Sequence, residues 1–202
     1  MEAFQRRAAA RAVHPGEVLL NQGTLTEMRT SCVLLLLLGA GGAWAQDAGK
    51  NAALARFLVE AKKHTYAQGD SAAVKPVLAG THQLEYSQGS FLYRDIYVGE
   101  AQFAGQEMVY ESGKPVWTMS YAGTIPPGLD SKDVDAAVKL LHMALMRVAA
   151  EEPFRGPRRV DDGAYSYTNR VQGKLDSFFG DETISRGGTK LYELHYGGGL
   201  VR

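Results

Sequence analysis

The sequence predicts an α+β fold: an antiparallel sheet, or two facing sheets, built from two helix-plus-meander halves related by a pseudo-twofold, with the helices packed on one side. Two observations predict it. The chain repeats itself about 74 residues on, pairing Gly89 with Gly163, Tyr93 with Tyr167 and Gly99 with Gly173. After one residue of slip the pairs continue as Phe103/Phe178, Gly105/Gly180, Glu107/Glu182, Gly113/Gly188, Tyr121/Tyr196 and Gly123/Gly198. A period that long, present twice, is not that of a stacked solenoid. Second, each copy opens on helical periodicity and continues in short alternating runs punctuated by glycine. The halves run over about residues 50–123 and 130–198.

The N-terminal region reads as separate from this domain. Met28-Arg29-Thr30-Ser31 is a short basic start, Cys32–Gly39 an apolar run with five consecutive leucines, and Ala43-Trp44-Ala45 a small-residue ending. That is the order of a secretory signal peptide over residues 28–45, cleaved after Ala45. The run falls well below the ~20 apolar residues a spanning helix needs, so no stable membrane insertion is expected after cleavage. Residues 1–27, with Arg6, Arg7 and Arg11, read as a mis-called extension. The expected mature chain, residues 46–202, is then one periplasmic or secreted domain. The only cysteine, Cys32, falls in the signal, so neither disulfide nor thiol chemistry is expected in the domain.

In the first half, Leu54, Phe57, Leu58 and Ala61 share a helical stripe over Asn51–Tyr66, with Arg56, Lys62 and Lys63 expected outside. Gln68-Gly69-Asp70 closes the helix. Strands are expected at Leu84–Ser87, Ser90–Val98, Phe103–Glu111 and Lys114–Tyr121, the last pair joined by the tight-turn signal Ser112-Gly113. In the second half, Asp130 or Ser131 caps a helix whose apolar stripe is Val134, Val138, Leu141, Leu145 and Val148. Glu151–Asp162 reads as a proline-punctuated loop, followed by strands at Ala164–Val171, Leu175–Ser185 and Thr189–Tyr196.

Charge and motifs exclude more than they assign. Twenty-two Lys and Arg balance twenty-two Asp and Glu, and no basic stripe stands out, which argues against a nucleic-acid partner. No nucleophile elbow, phosphate loop, dinucleotide fingerprint or paired-histidine zinc motif occurs, and His64, His82, His142 and His195 lack ligand spacing. The sequence therefore implies no cofactor, no metal and no catalytic residue set. What stands out is a repeated set of aromatics and carboxylates: Tyr93 and Tyr167, Trp117 and Tyr192, Tyr121 and Tyr196, Glu107 and Glu182. Asp95 and Asn169 follow the first tyrosine pair on the same strand face. Aromatics alternating along strands are ordinarily core, and a repeated glutamate after a glycine can simply satisfy backbone amides. As a site, glutamates beneath aromatic walls suit a cationic or aromatic small molecule near the pseudo-twofold axis. A protein partner docked on the Glu151–Asp162 loop or on an exposed sheet face is the alternative. A weaker one is acid–base hydrolase or isomerase chemistry by His195, Glu193 and a nearby carboxylate. Arg155, in that loop, reads as a lid residue or as part of an exposed rigid turn.

Several runs resemble the bacterial domain-of-unknown-function family 5680: Tyr86 through Gly89, Phe103-Ala104-Gly105-Gln106-Glu107, Gly113 through Gly123, Glu152-Pro153-Phe154-Arg155-Gly156-Pro157 and Tyr196-Gly197-Gly198-Gly199. The resemblance covers roughly residues 53–202. It implies a compact stand-alone domain, some members being similar to the C-terminal part of phage-repressor-type helix-turn-helix proteins, which suits an effector-sensing module. It carries over no catalytic residues, and this chain has an export-like segment in place of a helix-turn-helix.

Overall fold

The structure, a computed structural model, describes residues 32–68 and 72–201, with side chains described from 48 to 66 and from 72 to 201. The expected extension 1–27, the basic start Met28–Ser31 and the helix stop at Gly69-Asp70 lie outside the described residues. Trp44–Arg202 forms a compact unit that holds the sheet, one complete helix and the part of α1 (Cys32–Gln68) from Trp44 onward. No helix among the described residues is long and apolar enough to cross a membrane.

The domain is α+β. Four strands, β1 (His82–Gln88), β2 (Phe91–Gly99), β3 (Gln102–Glu111) and β4 (Lys114–Thr124), form an antiparallel meander. Helix α2 (Ser131–Leu145) follows, then β5 (Arg159–Asp162), β6 (Tyr165–Lys174), β7 (Ser177–Arg186) and β8 (Thr189–Leu200) form a second. The meanders join along β4 and β8 into one open sheet of order β1-β2-β3-β4-β8-β7-β6-β5. The alternative of two facing sheets is thereby set aside. Register slips by one residue between Val109 and Tyr110 in the first meander and between Ile184 and Ser185 in the second.

One face of the sheet carries the core. Tyr93, Glu107, Val109, Trp117, Met119, Tyr167, Glu182, Ile184 and Leu194 are almost wholly removed from solvent, as the two-residue period of a half-covered antiparallel sheet requires. Helix α1 lays Leu54, Phe57, Leu58 and Ala61 on this face, Phe57 stacking on Tyr86 and Phe91. Helix α2 packs against β5 through β8. Asp130 caps it: the backbone there is extended, and the side chain accepts from the Lys132 amide at 2.8 Å, satisfying one of the orphan first-turn donors.

Four expectations change. Lys62, expected outside, is fully buried, because it forms an ion pair beneath the sheet. The buried residues of α2 are Ala137, Leu140, Ala144 and Leu145, while Val138 is half exposed, so the helix is rotated from the stripe read in the sequence. Arg159–Asp162, expected in a loop, is a short strand paired with β6 through Val160↔Tyr167. The loop before it is not an exposed rigid turn: Pro153, Phe154, Arg155 and Gly156 are all buried. Phe154 anchors the loop by stacking on Phe178 at 3.8 Å between centroids, and Phe178 stacks in turn on Trp117.

Candidate functional site

The period of two puts all eight aromatics and carboxylates singled out in the sequence on the helix-covered face, where each is buried or nearly so. They do not form one pocket. Glu107 on β3 and Glu182 on β7 stand on either side of the central β4–β8 pair, three strand spacings apart or about 14 Å laterally.

Each glutamate holds its own cation. Glu107 Oε2 accepts from Lys62 Nζ of α1, and Lys62 also lies over the rings of Tyr93 and Trp117 at 5.9 and 5.8 Å. Burial holds the Lys62 amine below its ordinary range, against the opposing pull of Glu107. Glu182 is more fully bonded. Arg155 Nη2 donates to Oε2 at 2.9 Å, Tyr192 donates to the same oxygen at 3.2 Å, and the Tyr167 hydroxyl donates to Oε1. By contrast Glu107 Oε1, the Tyr93 hydroxyl and Trp117 Nε1 are buried without a partner among the described residues.

Above the glutamates lies a second repeated contact. Tyr121 donates to Asp95 Oδ1 at 2.9 Å, and Tyr196 donates to Asn169 Oδ1 at 2.8 Å. Each tyrosine crosses an intervening strand to reach its partner. Glycine makes the crossing possible: a Cβ at Gly105 would collide with the Tyr121 ring, and one at Gly180 with that of Tyr196.

The surroundings of the two contacts differ. Asn169 Nδ2 donates to the Gly156 carbonyl at 2.7 Å, so the Pro153–Pro157 loop caps it. Asp95 instead forms part of the wall of a cleft of about 540 Å³. Val138, Leu141 and Leu145 of α2, with Ile125, Phe103 and Leu194, make one side apolar. Tyr66, Tyr97, Tyr121, Tyr192, Asp95 and Arg155 make the polar end. Arg155 is anchored there rather than free, with Nη1 donating to the Tyr66 hydroxyl at 3.2 Å and Nη2 held by Glu182.

Asp95 is the electrostatic oddity of the cleft. It stands directly opposite Glu107 across the β2–β3 ladder, where cross-strand Cβ atoms lie about 5 Å apart. Burial, and then the charge on Glu107, push its carboxyl up to about 7, with the Tyr121 hydrogen bond acting the other way. At the corresponding ladder position in the second half Asn169 faces Glu182, and there is no second carboxylate.

Of the predicted set, Tyr121 and Tyr192 line the cleft, while Glu107, Glu182, Trp117, Tyr196, Tyr93 and Tyr167 lie among the core and its ion pairs. The residues missed as site candidates are Asp95, Tyr66 and the apolar lining from α2. Asp95 was signalled by its place on the face of Tyr93; Tyr66, at the end of a helix, carried no signal. His195 projects from the opposite sheet face, exposed, with Glu193 at 3.5 Å, in a shallow depression that contains neither Glu107 nor Glu182. Among the described residues no cluster of histidine, cysteine and carboxylate side chains could hold a metal ion.

Fold and site together define a class: an antiparallel α+β domain whose sheet is covered on one face and borders an apolar-walled cleft. Residues 95–201 match the family model described as Domain of unknown function (DUF5680), and the chain belongs to that family. No curated protein and no solved structure matches the chain.

Proposed function

We propose that this domain binds a small molecule in the cleft between α2 and the first meander. The observation that carries the reading is the makeup of the cleft: about 540 Å³, apolar along α2 and polar at Asp95, Tyr66, Tyr121 and Arg155. Apolar walls with a few convergent polar groups are the usual makeup of a ligand site. The half-exposed Val138 supports it too, since an apolar helix position without protein cover is what a ligand would cover.

We also infer that the halves are related by a pseudo-twofold running between β4 and β8. The palindromic strand order supports this, as do the two register slips and the pairing of Tyr121 with Tyr196 across the β4–β8 seam. The cleft takes lining from both sides of that axis, Phe103 and Tyr121 on one and Tyr192 and Leu194 on the other. Export fits the reading, with Ala45 as the last residue removed; mass spectrometry of the protein recovered from culture medium or periplasm, beginning at Gln46, would test it.

The test of the binding reading is a thermal-denaturation screen of the full chain against small amphiphiles, repeated on Leu141→Trp, which fills the cleft. A ligand at 100 times its dissociation constant adds about 2.7 kcal/mol, visible as a raised midpoint. Stabilisation of the parent that disappears in Leu141→Trp is the expected result. Hits that act equally on both proteins would place binding elsewhere and end the proposal.

A further inference from the structure

We propose that the cleft selects a ligand with a protonated amine head group, and that Asp95 is the residue that receives the ammonium. The proposal rests on the cleft-binding reading and names the chemistry of its ligand. It starts from a count of charges beneath the sheet. Among the described residues three buried carboxylates, Asp95, Glu107 and Glu182, meet two buried cations, Lys62 and Arg155. Both cations are paired with a glutamate, Lys62 with Glu107 and Arg155 with Glu182, and Arg155 also donates to the Tyr66 hydroxyl, its Nε alone lacking a partner among the described residues. Asp95 is the carboxylate left without a cation, and it is also the one that lines the cleft.

A buried carboxylate without a countercharge either takes a proton or recruits a cation. The cleft offers room for the second course, and its polar end is built of aromatic rings. Tyr66, Tyr97, Tyr121 and Tyr192 line the cleft together with Asp95, and an aromatic lining suits a desolvated ammonium. An anionic head would meet Asp95 with both strong cations already engaged. A neutral head would leave the odd carboxylate as it is.

The second half supplies the control. There the equivalent side chain is the amide Asn169, its ladder partner Glu182 has its own cation, and the loop carbonyl of Gly156 accepts from the amide. An amide with a capped position has no use for a cation; an acid with an open one does. Asn169 also answers the concern that Asp95→Asn would unfold the domain, because an asparagine already accepts a tyrosine hydrogen bond in this geometry.

The experiment uses three probes with similar bodies and different heads, 2-phenylethylamine, 2-phenylethanol and 3-phenylpropionate, titrated at pH 8 by calorimetry into the full chain, Asp95→Asn and Leu141→Trp. The amine should bind at least about tenfold tighter than the other two, the equivalent of about 1.4 kcal/mol for a charge-assisted contact. Asp95→Asn should remove that preference while melting no lower than the parent. Equal binding of the three probes, or an amine preference that survives Asp95→Asn, overturns the proposal; if that binding is still lost in Leu141→Trp, the cleft reading stands. Absence of any binding that depends on Leu141 overturns both.

Discussion

The Tyr121–Asp95 and Tyr196–Asn169 contacts are one hydrogen bond made twice, over Gly105 and over Gly180, and they have been put to different ends. In the second meander the amide donates onward to the Gly156 carbonyl, Arg155 and two tyrosines saturate Glu182, and Phe154 pins the loop by its ring stack. That half is closed, and of its buried side-chain polar atoms among the described residues Arg155 Nε alone lacks a partner. In the first meander the acid faces another acid, a single lysine serves Glu107, three buried polar atoms lack partners among the described residues, and a cleft opens beside the contact. Satisfied networks rigidify a core, whereas under-satisfied ones mark places where stability has been given up, commonly for function. The two contacts are thus used differently: the one over Gly180 is closed off by the Pro153–Pro157 loop, and the one over Gly105 borders a cleft whose other walls come from α2, Arg155 and β8.

The comparison breaks most visibly at the cations. Lys62→Met and Arg155→Met each strand a buried carboxylate, a change that typically costs about 3–5 kcal/mol. Glu182 would keep Tyr167 and Tyr192 as donors, while Glu107 would lose the one side-chain donor it has among the described residues. Lys62→Met should therefore lower the urea midpoint more than Arg155→Met. The reverse order would mean that the second half, not the first, is the less well satisfied.

Asp95→Asn comes next, and its effect depends on pH. The charged and titratable groups facing Asp95 are Lys62 and Tyr66 from α1, Tyr93 on its own strand, Glu107 on β3, Tyr121 on β4 and Arg155 from the loop. Unfolded, Asp95 ionises near 3.8; folded, at about 7. Between those values the folded state keeps a proton that the unfolded state has lost, so this group makes stability fall as pH rises from about 4 to 7 and then level off. The asparagine variant escapes the loss. It should be more stable than the parent at pH 8, by on the order of a few kcal/mol, and no more stable at pH 4. Urea melts at the two pH values check this; equal stability of parent and variant at both would mean that Asp95 ionises normally.

The mirror substitution, Asn169→Asp, should have the opposite sign and a smaller size. An ionised carboxylate cannot donate to the Gly156 carbonyl and would face Glu182 across the ladder, so a loss of about 1–3 kcal/mol at pH 8 is expected. The loss should shrink in acid, where the aspartate is protonated and can donate again. A neutral result by thermal melting would mean that the loop does not depend on Asn169.

How much of this could be read from the chain depends on the distance over which each feature is decided. The shared face of Tyr93, Glu107, Trp117 and Tyr121 follows from a two-residue period, which is a local signal. Lys62 misled because its charge argued for solvent, although position 62 continues the stripe of Leu54 and Leu58. Its burial is decided by Glu107, 45 residues away. The Pro153–Pro157 loop misled in the same way: proline and glycine signalled a turn, while Phe178 and Glu182, which pull Phe154 and Arg155 inward, lie far along the chain. The short strand Arg159–Asp162 has a single buried apolar residue, Val160, and exists because β6 offers an edge to pair with. The cleft was the least legible feature, because it depends on the rotation of α2, which no periodicity of that helix fixes by itself.

That rotation leads to the smallest effect and the finest test. Leu140 is wholly buried and Val138, two residues before it, is half exposed over the cleft. If Val138 is held in place for the fold, Val138→Ala should destabilise as a core truncation does. If it is there for a ligand, the variant should melt within about 0.5 kcal/mol of the parent, as surface substitutions do. The affinity for 2-phenylethylamine should nevertheless fall roughly fourfold or more, at about 0.8 kcal/mol for each methyl group no longer covered. Stability and binding would then part company on α2 much as they part between the two hydrogen bonds, the one capped by the loop serving the fold and the one beside the cleft serving the ligand. A variant that lost stability with its binding unchanged would assign Val138 to the core and remove the apolar wall from the site.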